Sequence, residues 1–197
     1  MNTIDYYNKN AKQFISGTIS ADMHITQDKF LSYLKPNAEI LDFGCGSGRD
    51  TKYFTELGYQ VTAIDGSEEI CRLASEYTGI AVRRMMFQEL SDIDKYDGIW
   101  ACSSILHLSG KEIEKVLIKM GEALKAYGVI YTSFKYGEFE GERKERYFTD
   151  FTEESFHEML RDISKLTIAE QWITNDVRAG RGAEKWLNLI LRKADYN

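Results

Sequence analysis

The sequence predicts an α/β fold of the Rossmann-like, doubly wound type, with helices on both faces of a mostly parallel sheet. Short apolar runs typical of buried strands alternate with segments of helical periodicity. That order gives parallel strands joined by right-handed crossovers. The chain has 197 residues, 43% hydrophobic and 28% charged, which is typical of one packed globular domain. We therefore expect a single domain over residues 1–197.

Five strand candidates lie in the first part of the chain. They cover residues 39–43, 60–65, 80–82, 97–102 and 129–134. Helices are predicted between them, over residues 50–57, 67–77 and 110–126. The last of these helices has its apolar residues at the spacing of one helix face, so it should pack on the sheet.

The two ends of the chain complete the predicted domain. Pro36 separates the first strand from residues 1–35, which we interpret as a helical N-terminal cover or lid. Residues 152–155 resemble a capped helix start, and the apolar runs 166–173 and 186–191 flank a polar segment typical of a β-hairpin. The predicted division is a cover (1–35), a core (36–135) and a C-terminal helix and hairpin (136–197).

Charge and cysteine usage restrict the partners. Lys plus Arg number 25 and Asp plus Glu 31, so the net charge of −6 disfavours broad nucleic-acid binding. Three widely spaced cysteines without a C-x-x-C pair predict neither disulfides nor a metal site. The first 19 residues carry charges throughout, unlike a signal peptide or a membrane span. We expect a soluble cytoplasmic protein with a small-molecule substrate and no membrane partner; the oligomeric state is left open.

A glycine-rich turn follows the first strand. It reads G-x-G-x-G from Gly44 to Gly48, so a ligand can lie against bare backbone. A dinucleotide site needs G-x-G-x-x-G, but Arg49 stands at the sixth position, and Asp42 would repel a pyrophosphate. Asp65 ends the second strand, where a carboxylate can accept ribose hydroxyls. A ligand with a ribose, a cation and no phosphate fits, as S-adenosylmethionine does. A turn used only for packing is the alternative.

Residues 40–48, 61–65 and 96–107 resemble the class I S-adenosylmethionine-dependent methyltransferases. Within that superfamily the chain is most similar to small bacterial methyltransferases grouped with tellurite-resistance and type 11 or 12 domains. The resemblance covers about residues 30–135. It implies a seven-stranded sheet whose last strand is antiparallel, which we expect at the C-terminal edge.

This assignment gives a set of candidate cofactor residues. They are Tyr7, Asp42, Gly44, Cys45, Gly46, Asp65, Gly66, Ser67, Met86, Phe87 and Cys102. Many relatives use an Asp for the adenine amino group, but residues 85–90 contain none, so we expect Met86 packing and backbone bonds near Phe87 instead. Residues 126–128 replace a Pro-Gly-Gly of the relatives, which changes only a turn.

The methyl acceptor should lie beyond the carboxyl ends of the strands. Candidate acceptor contacts are His107, Lys135, Tyr136, Arg178 and Arg181. His107 is a candidate general base, and a capping or packing role is its alternative. Cys45 and Cys102 have no evident base, so we interpret both as packing residues rather than nucleophiles.

Charge near the C-terminus suggests an anionic acceptor. Residues 178–193 hold five basic side chains against Glu184 alone, although solvated surface charge would also explain them. Residues 135–146 balance four bases with four acids, and we expect a mobile loop there. The aromatic segment around Tyr7 is a candidate lid.

The predicted function is methyl transfer from S-adenosylmethionine to a small, anionic molecule, with His107 as the candidate catalytic residue. Two alternatives stay open, a methyltransferase acting on tRNA or protein and a non-catalytic S-adenosylmethionine-binding or interaction module. A nicotinamide-dependent oxidoreductase is disfavoured by Asp42 and by the glycine spacing.

Overall fold

A computed structural model describes residues 3–178 and 180–194. Residues 1–2, 179 and 195–197 of the predicted single domain, which spans 1–197, lie outside the described residues. The strands are β1 (Glu39–Phe43), β2 (Gln60–Asp65), β3 (Arg83–Arg84), β4 (Tyr96–Ala101), β5 (Leu124–Lys135), β6 (Glu140–Arg143), β7 (Arg146–Thr149), β8 (Leu166–Asn175) and β9 (Lys185–Lys193). The helices are α1 (Thr3–Ser16), α2 (His24–Leu31), α3 (Arg49–Glu56), α4 (Glu68–Thr78), α5 (Gly110–Ala123) and α6 (Glu153–Leu160).

Seven strands form one sheet in the order β3-β2-β1-β4-β5-β9-β8. Strands β1 to β5 pair in parallel, whereas β9 is antiparallel to both β5 and β8. The Rossmann-like fold class is thus confirmed. The expected antiparallel strand is β9, and β8 takes the outermost position beside it. The strand order reverses between β1 and β4, so the fold has its topological switch point there.

The third strand lies slightly later than predicted. Residues 80–82 precede β3 instead of forming it, because the Val82 N–H donates to the Ser75 hydroxyl (2.9 Å) of α4 rather than to a neighbouring strand. Helix α5 ends at Ala123, three residues before its predicted end. Leu124 already has extended backbone, and the Lys125 ammonium pairs with Glu39 and Asp97, which anchors this early start of β5.

The expected mobile loop at residues 135–146 is a wrong prediction, because much of it forms the β6–β7 hairpin. This hairpin packs against the rest of the molecule through Phe148, which is buried, and through the backbone of Tyr147. Balanced charge along the sequence did not reveal these long-range contacts.

The N-terminal segment packs on the sheet as two helices, with α1 kinked at Asn10. In α2, Phe30 is fully buried and its ring centroid lies 5.2 Å from that of Trp100 in β4. A Cβ on Gly98 would come within 2.7 Å of the Phe30 ring, so strand and helix fit closely there. No helix in the two described ranges is long and apolar enough to cross a membrane.

We predict that Phe30→Ala lowers the free energy of unfolding by about 3–5 kcal/mol, because it leaves a cavity between α2 and the sheet. Ile25→Ala is the matched control in the same helix, since Ile25 is 85% exposed, and it should change stability by less than about 0.5 kcal/mol. Urea denaturation measures both variants. Equal losses would contradict the packing of α2 described above.

Candidate active site

A cavity of about 590 Å³ lies beyond the carboxyl ends of β1, β2, β4 and β5, at the switch point. Its size is within the range of small-molecule sites. The glycine turn and the ends of β2 and β4 form one part of its wall. Helix α1, the β6–β7 hairpin and the connection between β8 and β9 form the remainder.

The glycine turn is held rigidly against β2. The backbone N–H groups of Gly44 and Cys45 both donate to the Ile64 carbonyl, at 3.0 and 2.9 Å. Gly44 has a φ of +88°, and a Cβ there would lie 2.5 Å from the Cβ of Ser104. Only glycine fits this position, because the turn is packed tightly against Ser104 and Phe87.

Asp65 lies at the edge of this turn and lines the cavity. Its carboxylate accepts the backbone N–H of Gly46 (3.1 Å) and of Ser67 (2.9 Å). Burial raises the pKa of Asp65 to about 6, against the lowering effect of the backbone N–H bonds. The side chain is therefore mostly ionised at neutral pH. Ser67 itself lies outside the cavity lining; its hydroxyl accepts the Ile70 N–H (3.2 Å) and caps α4.

Asp42 differs from its predicted role. Its carboxyl is buried outside the cavity lining and accepts the Thr51 hydroxyl (2.5 Å), which ties β1 to α3. Burial and, secondarily, the charge of Asp50 raise the pKa of Asp42 to about 8. The expected direct pairing with a ligand cation is thus corrected to a supporting role for the turn.

Asp50 and Arg49 are site residues that the sequence analysis missed. The Asp50 carboxylate lines the cavity and accepts bonds from Gln27 (2.6 Å), from Arg49 (twice, at 2.8 Å) and from the Trp100 indole (2.8 Å). An Arg-Asp pair directly after a glycine turn was the available signal, since charges at the buried start of a helix need partners.

Gly66 directly follows β2, and Met86 and Phe87 follow β3. All three line the cavity together with Ile4 of α1. A Cβ on Gly66 would come within 2.7 Å of Ile4 and 3.2 Å of the Met86 sulfur, so these two side chains fill the space beside Gly66. The backbone N–H of Met86 is already bonded to the Glu89 carboxylate (2.7 Å).

Both cysteines predicted for the site line the cavity as protonated thiols. Burial raises the pKa of Cys102 to about 11 and holds that of Cys45 well above its ordinary value. A thiol with a raised pKa is a poor nucleophile. The geometry therefore supports the interpretation of both as packing residues.

His107 and Tyr7 form a hydrogen-bonded pair on the cavity wall. His107 Nδ1 lies 2.7 Å from the Tyr147 carbonyl, which can only accept, so Nδ1 carries the proton. Nε2 then accepts the Tyr7 hydroxyl at 2.8 Å. Burial lowers the pKa of His107 to about 4 and raises that of Tyr7. His107 is consequently a neutral group whose lone pair faces Tyr7.

The predicted acceptor cations are mostly neutralised. Lys135 pairs with Glu184, and the Arg178 guanidinium pairs with Asp176 at 2.5 Å. Arg181 lines the cavity and is exposed. Tyr136 lies outside the lining, where its hydroxyl donates to Glu153 (3.1 Å), which corrects its predicted acceptor contact.

The hairpin adds Arg146 to this wall. Its Nη1 donates to the Tyr7 hydroxyl (3.2 Å), and no carboxylate within residues 3–178 and 180–194 forms an ion pair with it. The guanidinium lies over the rings of Tyr6 (4.6 Å) and Phe148 (5.1 Å). Arg146 is thus a cation held by neutral groups.

Comparison with known families agrees with this arrangement. The model of a methyltransferase domain matches residues 40–128, which include the glycine turn and Asp65. Residues 40–128, a little under half of the chain, are therefore a methyltransferase domain, and the matched residues and the fold support the class I S-adenosylmethionine-dependent type. The methyltransferase subgroup predicted from the sequence stays a prediction. The β6–β7 hairpin lies outside the matched residues.

The methyltransferase domain has curated and solved relatives. YqeM of Bacillus subtilis (strain 168), named as a methyltransferase, is 25% identical over 130 residues. That match covers 58% of this chain and 53% of YqeM, so the chain spans about half the length of that relative.

Two solved structures show the same fold. The Burkholderia thailandensis 1,6-didemethyltoxoflavin-N1-methyltransferase has a TM-score of 0.72 and 24% identity, with coverage of 97% of this chain and 90% of that chain. A chain of the Haloferax volcanii complex between the Trm112 methyltransferase activator and a methyltransferase has a TM-score of 0.78 and 18% identity, with 98% of each chain covered.

We predict that the His107 imidazole stays neutral, with its proton on Nδ1, down to a titration midpoint near pH 4. In the unfolded chain the ordinary value is 6.5, so stability from this group is full above that pH and declines as the pH falls toward 4. Nitrogen-15 NMR of the ring measures the midpoint and the tautomer, with His107→Asn to assign the signal. A midpoint at or above 6, or a proton on Nε2, would contradict this geometry.

Proposed function

We propose that the protein transfers the methyl group of S-adenosylmethionine to a small, anionic molecule. The observation that carries the proposal is a cavity with two chemically different walls. One wall has the glycine turn, carboxylates and apolar side chains, and the other has three cations, Lys144, Arg146 and Arg181, that form no ion pair within the described residues. The first suits a cationic nucleoside, and the second suits an acidic acceptor.

The residues of the cofactor wall fit S-adenosylmethionine. Asp65 can accept ribose hydroxyls, and Ile4, Met86 and Phe87 give the same part of the cavity an apolar lining that suits adenine. The glycine turn, from Gly44 to Gly46, lines the cavity next to Asp65. The Asp65 carboxylate, which lines the cavity and is mostly ionised at neutral pH, favours a cationic ligand over a phosphate. When bound, the cofactor supplies a methyl group on a positively charged sulfur.

Three observations support a small, anionic acceptor. The cavity is roofed by α1 and the β6–β7 hairpin, which restricts the size of what can enter. Among the described residues, Lys144, Arg146 and Arg181 line it without a carboxylate in ion-pair contact. The Burkholderia thailandensis relative holds 1,6-didemethyltoxoflavin, a small molecule, together with S-adenosylhomocysteine.

The three cysteines are free thiols, which suits the reducing cytoplasm where we place the protein.

The side chains near the acceptor position it. Methyl transfer is an in-line displacement, so orientation is the main contribution of the protein. An acceptor atom that is already anionic needs no base. For an acceptor with an N–H or O–H group, the Tyr7 oxygen can accept a hydrogen bond from that group while the Tyr7 hydroxyl donates to His107 Nε2. Because the pKa of His107 is about 4, this pair orients the acceptor, and the proton released on methyl transfer goes to solvent.

The proposal is tested first by calorimetric titration of the protein with S-adenosylmethionine, S-adenosylhomocysteine and NAD. Micromolar binding of the two adenosyl ligands without NAD is expected. Methyl-labelled S-adenosylmethionine is then incubated with the protein and a fractionated cell extract. Label should enter small molecules retained on an anion exchanger. Label in tRNA or protein would contradict the proposed acceptor, and binding without any transfer would indicate a non-catalytic module.

We predict that Asp65→Ala weakens S-adenosylhomocysteine binding at least about tenfold, because two charge-assisted hydrogen bonds to the ribose are lost. Asp94→Ala is the matched control, since Asp94 lies before β4 at the opposite end of the sheet and is mostly exposed. Calorimetry gives both affinities. An unchanged affinity of Asp65→Ala would remove the ribose role from Asp65.

A further inference from the structure

We propose that the tip of the β6–β7 hairpin is an oxyanion clamp, in which Arg143 and Arg146 hold a carboxylate or phosphate group of the methyl acceptor. The inference rests on the proposed function for the identity of its ligand. It adds the place at which the acceptor is anchored and the group by which it is recognised.

The register of the hairpin places two cations directly opposite each other. Arg143 is the cross-strand partner of Arg146, joined by the two-residue turn of Lys144 and Glu145. Both turn residues have left-handed backbone, with φ of 49° and 64°. Like charges opposite each other destabilise a strand pair. Both arginines and Lys144 line the cavity, so an anion bound there would relieve the repulsion.

The two guanidinium groups also have unused donors. The Nε atoms of Arg143 and Arg146 are buried and form no hydrogen bond with any described residue. Arg143 Nη2 donates to Asp150 (2.5 Å), whereas Arg146 Nη1 reaches only the neutral Tyr7 oxygen. Because the protein covers both Nε atoms, an oxyanion in the cavity would bond to the Nη groups instead. Arg143 already pairs with Asp150, whereas Arg146 forms no ion pair within the described residues, so Arg146 is the principal anchor of the clamp.

Aromatic rings hold both guanidinium planes in place. Phe139 lies 4.2 Å from the guanidinium of Arg143, and Phe148 is within 5.1 Å of both arginines. Rings that contact the face of a guanidinium leave its edge free for bidentate bonds to a carboxylate or a phosphate. Lysine in these positions would keep the charge but lose this geometry.

Backbone contacts fix the clamp relative to the pair of Tyr7 and His107. The backbone N–H of Tyr147 donates a hydrogen bond to the Thr3 hydroxyl of α1 (3.1 Å), which ties the hairpin to that helix. The Tyr147 carbonyl bonds to His107. An acceptor with its anionic group at the hairpin tip therefore has the rest of its length beside Tyr7 and His107. Because the hairpin lies outside residues 40–128, this anchor belongs to the part of the chain that the family model does not match.

The test is calorimetry of the full chain with three probes of similar shape, benzoate, phenyl phosphate and neutral benzamide, each with and without saturating S-adenosylhomocysteine. We expect at least one of the two anions to bind and benzamide not to bind. The stronger anion identifies the acceptor group as a carboxylate or a phosphate. The double variant Arg143→Gln/Arg146→Gln should weaken the binding of that anion at least about tenfold, and Arg146→Lys by a smaller factor.

The matched control is Arg161→Gln, an exposed arginine at the end of α6 and outside the cavity, which should bind the probes like the unmodified chain. A variant that keeps its affinity for S-adenosylhomocysteine is correctly folded. If the double variant does not fold, the comparison is made with Arg146→Lys alone. Failure of both anions to bind the unmodified chain, or equal binding by the variants that fold, would overturn the clamp. If the unmodified chain does not bind S-adenosylhomocysteine, the proposed function is refuted. The titrations with benzoate and phenyl phosphate in the absence of cofactor would still test whether the clamp binds an anion.

Discussion

The buried carboxylate of Asp50 is the interaction on which the site depends. It accepts four hydrogen bonds, which connect α2 through Gln27, the start of α3 through Arg49 and β4 through Trp100. A buried ion pair stabilises a fold only when its remaining hydrogen-bonding groups are satisfied, and here every partner is supplied. The glycine turn leads directly into this anchored helix start. The position of the turn therefore follows from a polar network rather than from apolar packing alone.

The two walls of the cavity come from different parts of the chain. The parallel strands and the turn form the wall that suits the cofactor, and they coincide with the matched methyltransferase domain. Helix α1, the β6–β7 hairpin and the β8–β9 connection form the opposite wall. Such additions can change without disturbing the sheet, because loops at the carboxyl ends of strands carry specificity on a stable scaffold. In the proposed function, the acceptor is held by these segments outside the matched residues.

The features predicted from the sequence are those that depend on residues close together in the chain. The alternation of strands and helices indicated the fold class. The glycine turn and Asp65 indicated the wall that suits the cofactor, since these residues follow adjacent strands. For Asp42, the sequence predicted its position at the end of β1. Whether its carboxyl faces the cavity or Thr51 could not be predicted, because it depends on how α3 packs.

The charges of the acceptor wall were harder to interpret from sequence. Lys135 and Arg178 are basic in the sequence, yet Glu184 and Asp176 neutralise them in the fold. Arg146 stands in a segment of balanced charge and becomes distinctive only when the hairpin brings it to Tyr7, 139 residues earlier in the chain. Long-range pairing thus decides which cations remain available to a ligand.

In the proposed function, one cavity holds the cofactor on the glycine turn and leaves the hairpin wall for the acceptor. A crystal structure of the protein with S-adenosylhomocysteine tests this most directly. We expect ribose hydroxyls on the Asp65 carboxylate, adenine against the apolar lining of Ile4, Met86 and Phe87, and open space between the cofactor sulfur and Arg146. Adenosyl density elsewhere in the cavity, or a ligand that fills the hairpin wall itself, would contradict it.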